Sequence, residues 1–172
     1  MRIKGFIDED FINYKAPAMY IAFPSCTFNC DKENKCQLCQ NWNLTKEPDI
    51  EVEKEVLIER YLKNSLTEAI VLGGLEPFDS EFDLLPFIDC LRRQYHCNDT
   101  VVIYTGYTEE EIIKGNFGVN TNSKMQVQYW QELKELGNII VKFGRYRPNE
   151  KPHFDEVLGV KLSSNNQYAK IF

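Results

Sequence analysis

Four cysteines lie within fourteen residues of one another near the start of the chain, in the segment FPSCTFNCDKENKCQLCQN. Gaps of three, five and two residues separate Cys26, Cys30, Cys36 and Cys39. Such short spacing lets one loop surround a compact inorganic centre. Because charges occur throughout residues 1–20, we expect no secretory leader. Metal ligation is therefore a better interpretation of these cysteines than disulfide bonding.

Two kinds of centre suit these ligands. An iron–sulfur cubane that is held by only three cysteines leaves one iron open to an outside ligand. Such an iron is able to bind the amino and carboxylate groups of S-adenosylmethionine and to pass an electron to its sulfonium, whereas a cluster with four cysteines usually only carries electrons. Four thiolates also satisfy tetrahedral Zn²⁺. The cysteines alone support an iron–sulfur cluster and a zinc site about equally.

The surrounding sequence favours the iron–sulfur alternative. A zinc ribbon normally pairs two CxxC knuckles from separate hairpins, whereas this loop follows a predicted parallel strand. The spacing also differs from the CxxCxxCxxxC run of bacterial ferredoxins.

Alternating apolar and amphipathic segments predict an α/β fold. Continuous apolar runs predict strands that are buried on both faces, as in a parallel sheet covered by helices, at residues 19–23, 69–72, 101–104 and 139–141. Helical spacing of apolar residues predicts helices at 52–62, 82–95, 109–114 and 127–136, the last one ending at Gly137. We expect a parallel sheet with right-handed crossover helices, either open or closed into an incomplete barrel. The stretch 115–124 predicts a surface loop.

Residues suited to binding follow each predicted strand. In parallel α/β folds, ligands collect at the carboxyl ends of the strands. The residues in these places are Cys26, Gly73-Gly74, Thr105-Gly106 and Gly144. We therefore expect one rim that carries the site. Lys142 and Arg145 flank Gly144, but charged side chains at a strand end are more often solvated.

Length and composition exclude several classes of protein. With 172 residues the chain has the size of one domain, residues 1–172. A net charge of −6 argues against a nucleic-acid partner. The longest apolar runs are far too short to cross a bilayer, so we expect no membrane association and a cytoplasmic location. Cys90 and Cys97 lie in a predicted helix and at its end, where cysteine is usually a small buried apolar residue.

Five segments occur together in an order that is typical of one family. They are FINYKAPAMYIAFPSC, IVLGGLEP, VVIYTGY, NIIVKFGRY and a tail containing SSNNQ. From about residue 5 to its end the chain resembles radical SAM activating proteins, specifically those that activate anaerobic ribonucleoside-triphosphate reductases. The resemblance implies an incomplete (β/α) barrel of the radical SAM type, formed by a single domain.

The resemblance also implies ligands for a [4Fe–4S] cluster. The usual family pattern is CxxxCxxC, so Cys26 and Cys30 correspond to the first two ligands and Cys39 to the third. This chain departs from the pattern with eight residues between Cys30 and Cys39, and Cys36 is a second candidate within that gap. We favour Cys39 because CTFNC preserves the family's first spacing. Leu38 then occupies the apolar position that packs near the adenine in the family.

The segment GGLEP resembles the family's GGEP, with one leucine inserted. In the family, the glycines let the backbone approach the methionine part of S-adenosylmethionine, and an acidic residue accepts its ammonium group. These roles are implied for Gly73, Gly74 and Glu76. The alternative is a plain strand-to-helix turn, in which Asp79 or Ser80 caps the next helix. Without the cysteines, this alternative would be preferred.

Two more motifs imply contacts with the cosubstrate. Thr105, Gly106 and Tyr107 match the family's YTGY, a strand end near the cosubstrate. Ser164, Asn165 and Gln167 match its tail motif SSNQ, with one extra Asn, and the resemblance implies that polar side chains there contact the cosubstrate or the partner.

The resemblance implies a reaction. A flavodoxin or ferredoxin reduces the cluster, an electron enters the sulfonium of S-adenosylmethionine, and the resulting 5′-deoxyadenosyl radical takes hydrogen from the Cα of a glycine in an anaerobic ribonucleotide reductase. One alternative is a radical SAM enzyme that acts on another glycyl radical enzyme or on a small molecule. The other is a zinc-binding or electron-carrying domain.

Overall fold

Strands alternate with helices through most of the chain. The computed structural model describes residues 1–119 and 122–172. Its strands are β1 (Arg2–Ile3), β2 (Gly5–Asp10), β3 (Ala18–Phe23), β4 (Ile50–Glu51), β5 (Ala69–Gly74), β6 (Thr100–Tyr104), β7 (Ile139–Phe143), β8 (His153–Asp155), β9 (Val160–Leu162) and β10 (Tyr168–Ile171). Its α-helices are α1 (Asn29–Asn34), α2 (Lys54–Lys63), α3 (Glu81–Asp89), α4 (Glu109–Ile113) and α5 (Ser123–Glu135). Short 3₁₀ turns occur at Trp42–Lys46 and Pro77–Ser80, and a π-helical turn at Cys90–Gln94 extends α3. None of the helices in the described residues combines the length and the apolar composition that a membrane span requires.

Six strands form the central sheet in the order β10-β7-β6-β5-β3-β2. The four predicted strands are the parallel ones, β3, β5, β6 and β7, each longer than predicted by one or two residues. The predicted parallel sheet is wrong at both edges, because β2 and β10 pair antiparallel with their neighbours. Neither GFIDED nor YAKI is a continuous apolar run, since an edge strand need not be buried on both faces. Within the described residues the sheet is open, and the incomplete barrel stays a prediction.

Helices cover one face of the sheet. Ile70 and Leu72 of β5 belong to a large apolar core that also contains Trp130 of α5 and residues of α2 and α3. Cys90 and Cys97 are buried in the same core, as predicted for cysteines acting as small apolar residues.

The opposite face of the sheet is covered by a hairpin instead of helices. Ala69 and Val71 of β5 pack there with Tyr14, Leu158 and Leu162. The last two residues belong to the β8–β9 hairpin and its turn. Both faces of β5 are therefore buried, which explains its unbroken apolar sequence although helices cover only one side.

The predicted loop over residues 115–124 is shorter in the structure. α5 begins at Ser123 because the side chain of Asn122 accepts hydrogen bonds from two backbone amides of its first turn. Phe117, in the middle of the predicted surface loop, is buried. Residues 120–121 of that loop lie outside the described residues.

The carboxyl ends of the four parallel strands meet at one rim, as predicted. The loops that leave these ends remain hydrogen-bonded to one another. The N–H of Glu76 donates to the carbonyl of Ser25 (2.8 Å), and the N–H of Gly144 donates to the carbonyl of Tyr107 (2.9 Å). Backbone bonds therefore join the first residues of the loops after β3 and β5, and those of the loops after β6 and β7.

Candidate functional site

A cavity of about 290 Å³ opens at this rim. Three of the four clustered cysteines line it, whereas Cys36 is exposed to solvent. Its walls are formed by Ile12, Asn13, Tyr20, Cys26, Cys30, Cys39, Gln40, Asn41, Gly74, Leu75, Glu76, Tyr104, Thr105, Gly106, Lys142, Gly144, Tyr146, Val160, Lys161, Leu162, Ser163 and Gln167. The loop after β3 thus presents three thiols to one cavity.

Local bonds shape the loop that carries these thiols. Phe28 and Lys35, both in the left-handed region with φ 54°, bracket α1 and turn the chain sharply at each of its ends. Asp31, within α1, holds the chain that follows this helix. Its Oδ1 accepts hydrogen bonds from the amides of Leu38 and Cys39, at 2.8 and 2.9 Å. These bonds return the chain to the cavity.

Backbone amides lie near the sulfurs at the cavity. The N–H of Phe28 donates a hydrogen bond to Sγ of Cys26 (3.2 Å), and the amides of Tyr146 and Asn41 lower the pKa of Cys30 and Cys39 respectively. Burial raises the pKa of all three thiols, and the amides lower it in part. Metal binding requires that such protons leave, and N–H donors to sulfur stabilise the thiolates that result.

The arrangement of the sulfurs suits a cluster. Among residues 1–119 and 122–172, no three His, Cys, Asp or Glu side chains are close enough to hold a single metal ion. A zinc site gathers four ligands around one ion, with sulfur at about 2.3 Å. In a cubane, each thiolate binds a different iron, so the ligands surround a volume. Three thiols that line one cavity suit the second arrangement.

Glu76 is a buried carboxyl group in the cavity wall. Its Oε1 accepts a hydrogen bond from the N–H of Phe78 (3.2 Å), and its Oε2 accepts one from the N–H of Gly106 (2.8 Å). Burial raises the pKa of Glu76 to about 8, and the neighbouring carboxylate of Asp79 adds to this rise. Ser80 does occupy the N-cap position of α3, but its side chain forms no capping hydrogen bond there. The segment is more than a plain turn, because Glu76 caps the preceding 3₁₀ turn and also binds the loop after β6.

Lys142 brings a buried amino group to the same cavity. Its Nζ donates hydrogen bonds to the carbonyls of Gly144 (2.9 Å) and Thr105 (3.4 Å). Burial lowers the pKa of Lys142 to about 8, although Glu76 and Cys30 oppose this shift. The expectation that this strand end is solvated is wrong, because the neighbouring carbonyls solvate the amino group inside the protein.

Arg145 is also buried, and it connects the cysteine loop to α4. Its guanidinium makes two hydrogen bonds to Glu111 of α4, at 2.8 and 2.7 Å. Its Nε lies 3.2 Å from a carboxylate oxygen of Glu33 in α1. Arg145 therefore fixes α1, the short helix that carries Cys30.

Asp79 connects the cysteine loop to the loop after β6. Its Oδ2 accepts a hydrogen bond from the N–H of Thr27, between the first two cysteines, and its Oδ1 accepts one from Oη of Tyr107 (2.6 Å). Asp79 and Tyr107 are both buried. Tyr107 lies outside the lining of the 290 Å³ cavity and supports its wall.

The two glycines of GGLEP have different roles. Gly74 lines the cavity with φ +86°, and a Cβ there would lie 2.7 Å from Cα of Ala22. Gly73 lies outside the lining, and its α-carbon packs under Tyr20, whose Oη a Cβ would approach to 2.9 Å. Glycine is needed at both positions, but only Gly74 brings backbone to the cavity.

Three further residues implied by the resemblance lie outside the cavity lining. Leu38 is half-buried in the cysteine loop. Ser164 is buried, with its Oγ accepting a hydrogen bond from the N–H of Arg147 (3.3 Å), and Asn165 is exposed. Of the tail motif, Gln167 reaches the cavity, where its Nε2 donates to the carbonyl of Gly144 (3.2 Å). The roles that the resemblance implies for Ser164 and Asn165 stay predictions.

Sequence reasoning missed two tyrosines and an asparagine of the site. Tyr20 and Tyr104 line the cavity from within β3 and β6, and Asn41 binds the carbonyl of Gly74 through its Nδ2. The sequence did contain a hint of the two tyrosines, since Tyr20 lies within the apolar run AMYIAF and Tyr104 ends the run TVVIY.

Comparison with known proteins adds one finding. The sequence model of a protein family described as "4Fe-4S single cluster domain" matches residues 18–168. No curated protein and no solved structure matched the chain. The matched range begins at β3 and contains all four clustered cysteines and the four parallel strands.

Tyr107→Phe tests the bond that supports the cysteine loop. Without Oη, the buried Oδ1 of Asp79 loses its donor, so the free energy of unfolding should fall by about 1–3 kcal/mol in urea titrations of the metal-free protein. Tyr168→Phe is the matched control, because its Oη binds Glu109 on the surface and its loss should cost less than about 0.5 kcal/mol. Equal losses in both variants would contradict the interpretation.

Glu76→Gln tests the raised pKa of the cavity carboxyl. The folded-state pKa of about 8 exceeds the ordinary 4.5, so the folded chain holds an extra proton between these values. The contribution of Glu76 to the free energy of unfolding is complete below about pH 4.5 and is lost as the pH rises through about 8. Between these values that free energy changes by up to about 1.4 kcal/mol per pH unit. In metal-free protein, the free energy of unfolding of the wild type minus that of Glu76→Gln should therefore decrease between about pH 5 and pH 8. Glu132→Gln, on the exposed side of α5, is the control; a matching slope there would refute the assignment.

Proposed function

Since the chain belongs to the 4Fe-4S single cluster domain family and is an iron–sulfur protein, we propose that Cys26, Cys30 and Cys39 hold its cluster and that the protein cleaves S-adenosylmethionine reductively. The observation that carries this proposal is the division of the cysteines: three line the cavity and Cys36 is exposed. Three thiolates leave one iron of a cubane without a protein ligand, open to a small molecule in the cavity.

The charges of the cavity support an amino-acid end on that small molecule. Glu76 and Lys142 both line it and bring a carboxyl group and an amino group to one space. An ammonium group near Glu76 favours its carboxylate, so ligand binding would lower the raised pKa of Glu76 and release its proton. Lys142 offers a cation to a carboxylate. The methionine part of S-adenosylmethionine carries both groups.

The remaining walls support a nucleoside end. Tyr20 and Tyr104 bring aromatic rings to the cavity, and Ile12 and Leu162 bring apolar side chains. A volume of about 290 Å³ lies near the lower limit for small-molecule pockets, which are mostly apolar with a few placed polar groups. Adenosine, with one planar ring system, suits such walls.

In this proposal the bound cluster supplies one electron, which breaks a sulfonium S–C bond and yields methionine and a 5′-deoxyadenosyl radical. A flavodoxin or ferredoxin is the proposed electron donor. The protein's own contributions would be the backbone amides near the sulfurs, the carboxyl group of Glu76 and the amino group of Lys142 that orient the methionine part, and the aromatic and apolar walls.

The proposed hydrogen donor is the Cα of a glycine in an anaerobic ribonucleotide reductase, which would leave 5′-deoxyadenosine and a glycyl radical. The open edge of the sheet supports a macromolecular substrate. Phe11 and Ile12 are 65% and 76% exposed, and Ile12 also lines the cavity. An apolar entrance of this kind suits a protein loop.

Cysteine variants test the cluster and its chemistry together. Anaerobic reconstitution should give about four iron and four sulfide atoms per chain, with methionine and 5′-deoxyadenosine formed from S-adenosylmethionine after dithionite is added. Cys26→Ser, Cys30→Ser and Cys39→Ser should lose the cluster's visible and EPR spectra, whereas Cys36→Ser, the matched control, should retain both the spectra and the cleavage. Zinc without sulfide, or a reduced cluster that leaves S-adenosylmethionine intact, would overturn the proposal. Loss of the cluster in Cys36→Ser would instead favour an electron carrier with four cysteine ligands.

The protein substrate is tested separately. A glycine-centred EPR doublet on purified anaerobic ribonucleotide reductase would support the proposed partner. The same doublet on a different glycyl radical enzyme only, or cleavage without any doublet, would replace that partner with another enzyme or a small molecule.

A further inference from the structure

The carboxylate of Asp31 joins the two ends of the long gap in the cysteine loop. Asp31 directly follows Cys30, and its Oδ1 accepts hydrogen bonds from the amides of Leu38 (2.8 Å) and Cys39 (2.9 Å). One side chain next to the second cysteine therefore fixes the backbone of a cysteine nine positions away from Cys30. Hydrogen bonds from amides to a carboxylate are among the stronger ones that proteins form.

Chain length alone does not select Cys39 over Cys36. The gaps from Cys30 are five residues to Cys36 and eight to Cys39, and the entropy of closing a loop changes slowly with its length. The shorter gap, if anything, favours Cys36. Some other interaction must therefore place Cys39 at the cavity while Cys36 stays exposed.

We propose that Asp31 is the positioning residue that decides which of these two cysteines completes the ligand set. The inference rests on the proposed function, in which three thiolates hold the cluster. With both amides bound to Asp31, residues 38–39 return to α1, and the sulfur of Cys39 joins those of Cys26 and Cys30 at the cavity wall. The turn at Lys35 leaves Cys36 on the exposed side of the loop.

Interactions beyond Cys39 assist Asp31 without replacing it. Asn41 binds the carbonyl of Gly74 through its Nδ2, and the Trp42 ring lies 5.4 Å from the Phe28 ring in an edge contact. These contacts hold the chain after the third cysteine near β5 and the start of the loop. Asp31 is the group that connects this segment to the residues next to Cys30.

Two other side chains of α1 form bonds that leave the 36–39 segment untouched and therefore provide a control. Glu33 pairs with Arg145, and Nδ2 of Asn34 donates to the carbonyl of Cys30 (2.7 Å). Glu33→Ala removes a carboxylate two positions from Asp31 without removing an acceptor for Leu38 or Cys39. A general loosening of α1 should appear in both Glu33→Ala and Asp31→Ala, whereas loss of selection should appear only in the second.

The first test uses metal-free protein and does not depend on a cluster. A brief pulse of a maleimide, followed by quantification of the labelled peptides, measures how accessible each thiol is. In the wild type, Cys36 should be labelled much faster than Cys39, and Asp31→Ala should reduce that ratio by roughly tenfold through exposure of Cys39. Asp31→Asn keeps an accepting oxygen and should restore most of the ratio. An unchanged ratio in Asp31→Ala would overturn the proposal.

The second test asks which sulfur binds the cluster. Cys39→Ser alone should lose the cluster, because Asp31 still holds Cys36 outside. The double variant Asp31→Ala/Cys39→Ser should regain part of the iron, sulfide and EPR signal through Cys36, and Asp31→Ala/Cys36→Ser should hold less cluster than Cys36→Ser. Double variants that match their single-cysteine parents would refute the assignment. A wild type that takes up no iron or sulfide would refute the proposed function, while the labelling ratio would still report on Asp31.

Discussion

The hydrogen-bond ladder of the parallel sheet continues past the ends of its strands, and the cavity depends on this continuation. Beyond β6, the N–H of Thr105 donates to the carbonyl of Lys142 (2.9 Å), and beyond β5, the N–H of Glu76 donates to the carbonyl of Ser25 (2.8 Å). Loops that leave a sheet usually diverge and become mobile. Here backbone bonds join the loops after β3 and β5 and the loops after β6 and β7, and the side chain of Glu76 joins the loops after β5 and β6, so hydrogen bonds between loops hold the groups at the cavity.

These hydrogen bonds between loops make the burial of several charged side chains possible. Glu76, Asp79, Lys142 and Arg145 are all buried near the rim, although isolated buried charges destabilise a fold. Each of these side chains forms hydrogen bonds with a loop other than its own or with the turn that follows its strand. The loops therefore supply the partners of one another's buried polar groups. Apolar residues at these four positions would cost the fold less stability than the charged ones do. The concentration of perturbed titratable groups at one rim is typical of a functional site.

The sequence predicted the centre of the fold better than its edges, for a physical reason. The parallel strands are buried on both faces, so their apolar runs were unmistakable, whereas β2 and β10 at the sheet edges resemble loops in composition. The site residues that directly follow a strand, such as Thr105 and Gly74, were predicted because topology alone places them. Gln167 was predicted from the tail motif alone, and its inward direction depends on the carbonyl of Gly144. For Lys142, no local pattern reveals whether a charged side chain turns inward. Ser164, from the same tail motif, lies outside the cavity lining, since its Oγ bonds the N–H of Arg147.

The charges around the three sulfurs are distributed unevenly, and the proposed chemistry depends on that distribution. Asp79 raises the pKa of Cys26, and Glu76 raises the pKa of both Cys26 and Cys30. Arg145 lowers the pKa of Cys30, and Lys142 also interacts with this thiol. A metal centre that replaces the thiol protons puts negative charge on sulfur in a buried place, where the cations near Cys30 and the three amides compensate it. On the Cys26 side, the nearby acidic groups include the carboxyl groups of Glu76 and Asp79. In the proposed function, an ammonium group of the ligand would be accommodated beside these carboxyl groups, because a cation there favours the carboxylate form of Glu76 over its protonated form.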